Sequence, residues 1–220
     1  MEKEVISDCL YKDVCTNDCS QVCIRYSEMK FLLDSSDIPT KRRCLVSLYP
    51  SDCDYDAFCE LADFKNTVYN KVQWGQNLYI GSRWTGNGKT SWAIKILIKY
   101  FDAVWAGNGF RIRGLFVHVP TFLNKVKNFN DPMLQLYKDT ILQTDLVVWD
   151  DIASTQLSTY DNGQLLSLID QRILEEKSNI YTGNIIDFKG LEKAVGTRLA
   201  SRIMNNSKVV ILNGKDRRSS

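Results

Sequence analysis

Apolar residues along this chain fall into two rhythms. Short unbroken runs, bounded by turn-forming residues, recur at Leu78-Tyr79-Ile80, Gly114–Val119, Leu146–Trp149, Asn179–Thr182 and Lys208–Leu212. Runs of this length predict buried strands. Between them the spacing is helical. Arg25–Leu33 reads as a short helix stopped by Asp34-Ser35-Ser36-Asp37 and Pro39. Asp56 to about Val72 carries Ala57, Phe58, Leu61, Phe64 and Val68 on one face. A helix opening near Lys89 shows a single polar stripe of Ser91, Lys95, Lys99 and Asp102. Thr121–Phe129, Pro132–Leu142, Tyr160–Glu176 and Leu191–Ile203 complete the set, with Gly107-Asn108-Gly109 as a turn. Strands alternating with helices and no internal repeat predict an α/β fold with a parallel sheet flanked by helices.

The strand at Leu78–Ile80 leads into Gly81-Ser82-Arg83-Trp84-Thr85-Gly86-Asn87-Gly88-Lys89-Thr90 and then a helix. This strand–loop–helix context makes the stretch a Walker A candidate, a loop that holds the phosphates of ATP. Gly86 and Gly88 let consecutive amides point inward, Lys89 reaches the β- and γ-phosphates, and Thr90 offers its hydroxyl to Mg²⁺. The binding stretch runs through Arg83, Trp84, Thr85, Gly86, Asn87, Gly88, Lys89, Thr90 and Ser91. One position departs from the pattern: Arg83 stands where the first glycine belongs, and Gly81 lies two residues too early to replace it.

The apolar run Leu146–Trp149 ends in Asp150-Asp151. A parallel strand would deliver Asp150 beside the Mg²⁺ at Thr90, and Asp151 can orient an attacking water, which is the Walker B arrangement. Asp151 is one methylene shorter than the glutamate usual at this place, so slow hydrolysis is expected. Asn184, just past the fourth strand, is placed to face the γ-phosphate as a sensor; the alternative is an asparagine favoured by turn geometry alone.

Composition narrows the class. The 220 residues suffice for one cored domain and a small module. A formal charge of +2 gives no global pull toward nucleic acid, although from Lys189 onward Lys and Arg outnumber the acids. There is no secretory leader and no run able to span a bilayer, so a cytoplasmic protein with no membrane partner is expected. Four of seven cysteines, Cys9, Cys15, Cys19 and Cys23, crowd near the start. Four thiolates suffice for tetrahedral Zn²⁺, so a structural zinc module is expected, with free thiols on an amphipathic helix as the alternative. Cys44, Cys53 and Cys59 read as core filling, or as a replacement ligand. A boundary in Asp34–Pro50 divides the chain into a zinc module with linker, 1–45, and a main domain, 46–220. Lys41-Arg42-Arg43 reads as a solvated linker, with a phosphate contact as the minority reading.

The Gly86–Thr90 loop, Asp150-Asp151, Asn184 and the Arg198-Leu-Ala-Ser-Arg202 element together resemble the AAA+ ATPases. More narrowly, with Ser36-Asp37-Ile38-Pro39 and the Gly214-x-Asp216-Arg217-Arg218 ending, they resemble the DnaC/DnaI replicative helicase loader family, phage versions included. The resemblance implies an ASCE-type P-loop sheet and ATP hydrolysis in a homo-oligomer. An arginine of one subunit would complete the site of the next: Arg202 as the finger and Arg198 its companion, or the reverse. It further implies a DnaB-type helicase partner and delivery onto single-stranded DNA. The chain stops just after the last strand, so no helical lid domain is expected. Phe122, Lys125 and Lys127 occupy the place of a DNA-contacting insertion. Two other functions share these motifs: an IstB-like transposition helper ATPase, and a non-hydrolysing nucleotide-bound zinc adaptor.

Overall fold

All five apolar runs enter one sheet. In the computed structural model, which describes residues 9–15, 23–43, 48–127, 132–154 and 156–214, the strands are β1 Asn77–Gly81, β2 Gly114–His118, β3 Leu146–Asp150, β4 Ser178–Gly183 and β5 Ser207–Ile211. They lie in the order β2-β3-β4-β1-β5, and every pair is parallel. The helices are α1 Ile24–Asp34, α2 Tyr55–Asn66, α3 Val68–Gln73, α4 Lys89–Val104, α5 Val119–Val126, α6 Met133–Gln143, α7 Thr159–Leu174, α8 Phe188–Val195 and α9 Thr197–Met204.

Alternation along each strand sorts the side chains into two cores. Leu78, Ile80, Leu146 and Val148 face a layer built from α1 to α4, where Phe64, Leu97 and Phe101 are buried. Tyr79, Val147, Trp149 and Tyr181 face the opposite layer, where Leu165, Ile169, Leu199 and Ile203 are buried. A sheet covered on both sides needs apolar residues at every strand position, which is why the runs are unbroken.

Three boundaries differ from the sequence reading, each for a local reason. The helix expected over Asp56–Val72 is two, α2 and α3, meeting at Thr67, whose hydroxyl bonds back to the Asp63 carbonyl (2.8 Å). Val119, expected in a strand, opens α5; Pro120 follows in the first turn, where a missing N–H costs nothing. The helix expected over Leu191–Ile203 breaks at Gly196, whose φ of 79° and ψ of 157° are open to little but glycine.

The described residues before α2 share the main core. Met29, Leu32, Leu33 and Ile38 pack into the α4 layer, and the Ser36 carbonyl accepts from Phe116 N (2.7 Å), covering the outer edge of β2. Nearer the start, the Tyr11 hydroxyl donates to Asp102 (2.5 Å) and the Arg25 guanidinium lies 3.4 Å from the Tyr11 ring centre, docking the turn on α4. Burial, and then the neighbouring Asp102 carboxylate, push the Tyr11 hydroxyl up to about 12.

The expected four-cysteine zinc site does not form among the described residues. Cys9 and Cys23 are half-buried and Cys15 is exposed, all as free thiols. No three His, Cys, Asp or Glu side chains among the described residues gather to hold a metal. Cys15 belongs to a turn closed on Tyr11, whereas Cys23 caps the start of α1, so the sulfurs follow separate elements. Cys19 and Cys44 lie outside the described residues.

Gly196 yields a stability test. An added Cβ would meet Asn162 Nδ2 at 2.8 Å in a backbone conformation hostile to L residues, so Gly196→Ala is expected to cost about 1–3 kcal/mol in a urea titration. Gly163, within α7 with open space around its Cα, is the counterpart: Gly163→Ala should stabilise by about 0.5–1 kcal/mol.

Candidate functional site

The C-terminal ends of the parallel strands open into one cleft of about 480 Å³. The loop from β1 to α4 forms one wall. Gly86 and Gly88 hold positive φ of 73° and 103°, and Gly88 caps α4, so its glycines are required where the chain turns inward. Position 83 has no such φ, which is why Arg83 replaces the usual glycine without strain. The loop is braced from behind by buried Asn87, whose side-chain amide donates to Ser82 Oγ (2.5 Å) and to the Leu212 carbonyl (3.4 Å) beyond β5. The Lys89 amine lies back across the loop, donating to the Trp84 carbonyl (2.8 Å) and Asn87 Oδ1 (3.4 Å).

Thr85, Gly86, Gly88, Lys89, Thr90 and Ser91 therefore line the cleft, whereas Asn87 supports the loop from inside. Arg83 and Trp84 are exposed and do not contribute to the lining.

The opposite wall is the acidic strand end. Asp150, 3% exposed at the tip of β3, accepts at one oxygen from both Thr90 Oγ1 (2.8 Å) and Thr182 Oγ1 (2.8 Å). A hydroxyl meeting a carboxylate across the cleft floor is the hard-oxygen pairing that suits Mg²⁺, so these residues fit that ion. Asp151 follows in the left-handed region (φ 62°), which aspartate tolerates better than most residues, with its amide on Thr182 Oγ1 (3.0 Å). Asp151 and Asn184 both line the cleft.

Other residues line the cleft beyond those expected to hold nucleotide. Thr182 fixes both aspartates; its signal was a polar residue at the tip of an otherwise apolar strand. His118, paired with Asp150 in the β2–β3 register, closes one side with its Nδ1 2.7 Å from Thr121 Oγ1. Lys41 and Arg42, read as solvated linker with a phosphate contact as the lesser alternative, reach the cleft on the segment that Ile38 packs into the core. Lys41, Arg42, Lys89 and Lys95 thus face Asp150 and Asp151, an excess of positive charge suited to a polyanion. Burial, and then Lys65, lower the pKa of Lys95.

The paired arginines lie elsewhere. Both are on α9, outside the lining of the cleft. Arg202 pairs with Asp170 of α7 (2.6 Å), and Arg198 is exposed. Phe122, a candidate for DNA contact, is 2% exposed and packs toward Tyr137, so that role is withdrawn. Lys125 lies 5.3 Å from the Tyr137 ring centre and Lys127 pairs with Asp161 (3.4 Å).

No family model and no curated protein sequence matches the chain. Solved structures do. The crystal structure of the DnaC helicase loader superposes with a TM-score of 0.66 at 17% identity, covering 79% of this chain and 99% of that one. DnaI gives 0.64 at 19% identity, over 80% and 95%. AMPPCP-bound DnaA from Aquifex aeolicus gives 0.60 at 16% identity, over 83% of this chain and 54% of that one. The likeness is one of fold.

The double duty of Thr182 can be checked without any ligand. Thr182→Val keeps the shape but leaves Asp150 and the Asp151 amide each short of a partner. The expected loss is about 1.5–3 kcal/mol in chemical denaturation, and a loss below about 0.5 kcal/mol would mean that water replaces the hydroxyl.

Proposed function

We propose that this chain binds and hydrolyses ATP in the cleft between the Gly86–Thr90 loop and the Asp150–Asp151 strand end, and that it loads a DnaB-type replicative helicase onto single-stranded DNA. The observation that carries the nucleotide reading is the meeting of Thr90 with Asp150 at 2.8 Å, with Lys89 and Asp151 in the same cleft. The loading role rests on likeness of fold to the DnaC helicase loader and DnaI.

In this reading the loop amides and the α4 N-terminus hold the phosphates, and Lys89 leaves the Trp84 carbonyl to meet the β- and γ-phosphates. Thr90 and Asp150 hold Mg²⁺, which supplies neutralising charge when bound. Asp151 takes the proton-directing side of the attack: its carboxylate orients a water toward the γ-phosphate. Asn184 donates to that phosphate and reports its presence. Thr182 keeps both aspartates aimed while the substrate turns over.

Arg202, on an outer helix and paired with Asp170, acts in a neighbouring subunit's cleft after exchanging that carboxylate for phosphate. Arg198, exposed one turn away, assists or exchanges roles with it. An arginine supplied in this way contributes roughly 10³–10⁵-fold in related phosphoryl transfer, so specific activity should rise with protein concentration.

The tests separate these parts. Lys89→Ala should abolish nucleotide binding, whereas Asp151→Asn should keep binding and lose turnover. Arg202→Ala should keep ATP affinity and lose the concentration-dependent rise. An Arg202→Ala subunit mixed with a Lys89→Ala subunit should recover turnover, since one brings an intact loop and the other an intact arginine; a mixture that assembles but stays inactive would remove the trans role. Co-purification with the cognate replicative helicase, dependent on ATP, tests the partner, and its absence under both conditions would leave an ATPase with another client.

A further inference from the structure

The basic triplet Lys41-Arg42-Arg43 divides its labour. Arg43 is structural: its Nε donates to the Ile38 carbonyl (3.1 Å) and its Nη1 to Asp34 (2.5 Å), closing the short turn Thr40–Arg42 against α1. Ile38 beneath it is 2% exposed in the main core. The turn is thereby fixed at the cleft, and it presents both Lys41 and Arg42 there, Arg42 beside Asp150.

Arg42 Nη1 stands 3.9 Å from Asp150 Oδ2, with about half of its side chain exposed. That separation is an ion pair but too long for a hydrogen bond. The other oxygen of Asp150 already accepts from Thr90 and Thr182. The guanidinium therefore faces the carboxylate oxygen that Thr90 and Thr182 leave open, in the same cleft as the glycine loop. A planar fork of N–H donors beside a triphosphate-sized cleft matches phosphate oxygens two at a time, which an ammonium does not.

We propose that Arg42 is a phosphate-binding residue of this cleft, contributed by the segment before β1 within the same chain, and that it recognises the terminal phosphate of a nucleoside triphosphate. The inference rests on the nucleotide reading above. The loop amides and Lys89 hold the phosphates nearest α4; Arg42, approaching the same aspartate from outside the loop, meets the phosphate furthest from it. Its selectivity is accordingly for triphosphate over diphosphate, and it supplements Lys89 from the opposite wall.

The experiment is a titration of the full-length protein with fluorescent ATP and ADP analogues, with thermal melting of each variant as the control for folding. Arg42→Ala should lose about tenfold or more in affinity for the triphosphate, change diphosphate affinity by less than about threefold, and melt as the wild type does. Arg42→Lys, which keeps the charge without the fork, should fall between. Lys89→Ala should lose both nucleotides. The proposal is overturned if Arg42→Ala binds triphosphate as tightly as wild type, or loses triphosphate and diphosphate equally. A wild-type protein that binds neither nucleotide would overturn the nucleotide reading itself, and this inference with it.

Discussion

The register of the central parallel strands is the constraint from which the site follows. Gly81 lies opposite Gly183 across β1 and β4, Trp149 opposite Tyr181 across β3 and β4, and His118 opposite Asp150 across β2 and β3. One step further along, Thr182 meets Asp150 (2.8 Å). Every strand ends at the same edge, and there the α4 N-terminus and its glycine loop also begin, so the loop amides and the side-chain oxygens of Thr90, Asp150 and Thr182 arrive together. A slip of one residue in β3 would turn Asp150 into a core layer and Trp149 toward the wrong one. The two cores forbid that slip more firmly than any bond within the site.

The opposite edge is held by a single buried cation. Arg172 of α7, fully inaccessible, donates to the carbonyls of Ile141, Thr144, Asp145 and Ser178 and to Asn179 Oδ1. Those carbonyls belong to the end of α6 and the approaches to β3 and β4, so one side chain caps a helix and spaces two strands. Asn179 carries the network on, accepting from Trp149 Nε1 (3.0 Å) and donating to Asn77 of β1 (3.0 Å). Burial pulls the Arg172 pKa down to about 10, yet the group remains charged at neutral pH, and its donors find carbonyl dipoles in place of a carboxylate partner.

What could be read from the sequence depended on whether the cause was local. Buried strands announce themselves by unbroken apolar runs, and the β1–α4 loop by glycines at positions that need positive φ, so the sheet, the loop and Asp150 were all legible. Helix breaks at Thr67 and Gly196 were not, because the apolar stripe continues across them and periodicity alone cannot register a backbone kink. Arg172 looked like any arginine on an amphipathic helix, since its partners lie on other elements. Phe122 had the composition of a stacking residue but the spacing of a core one, and packing decided. Of the four thiols close in sequence, the described ones rest on different supports, Cys15 on the turn at Tyr11 and Cys23 at the start of α1.

Arg42 and Asp150 are separated by more than a hundred positions, and no pattern in either segment predicts that they meet. The link between them is a chain of packing. Met29, Leu32 and Leu33 seat α1 on the α4 layer, Ser36 takes the free edge of β2 through Phe116, and Ile38 fills the gap below the turn that carries Lys41 and Arg42. The segment ahead of β1 therefore shares one core with α4, and its position sets part of the cleft's charge. Four cations facing two carboxylates repel one another unless a polyanion enters, and two of the four ride on that segment. Displacing α1 from α4 would remove this half of the positive field while leaving the glycine loop intact. Conversely, phosphate drawn toward Arg42 would favour the docked position of α1, so cleft occupancy and the packing of the N-terminal segment are linked by the same free energy.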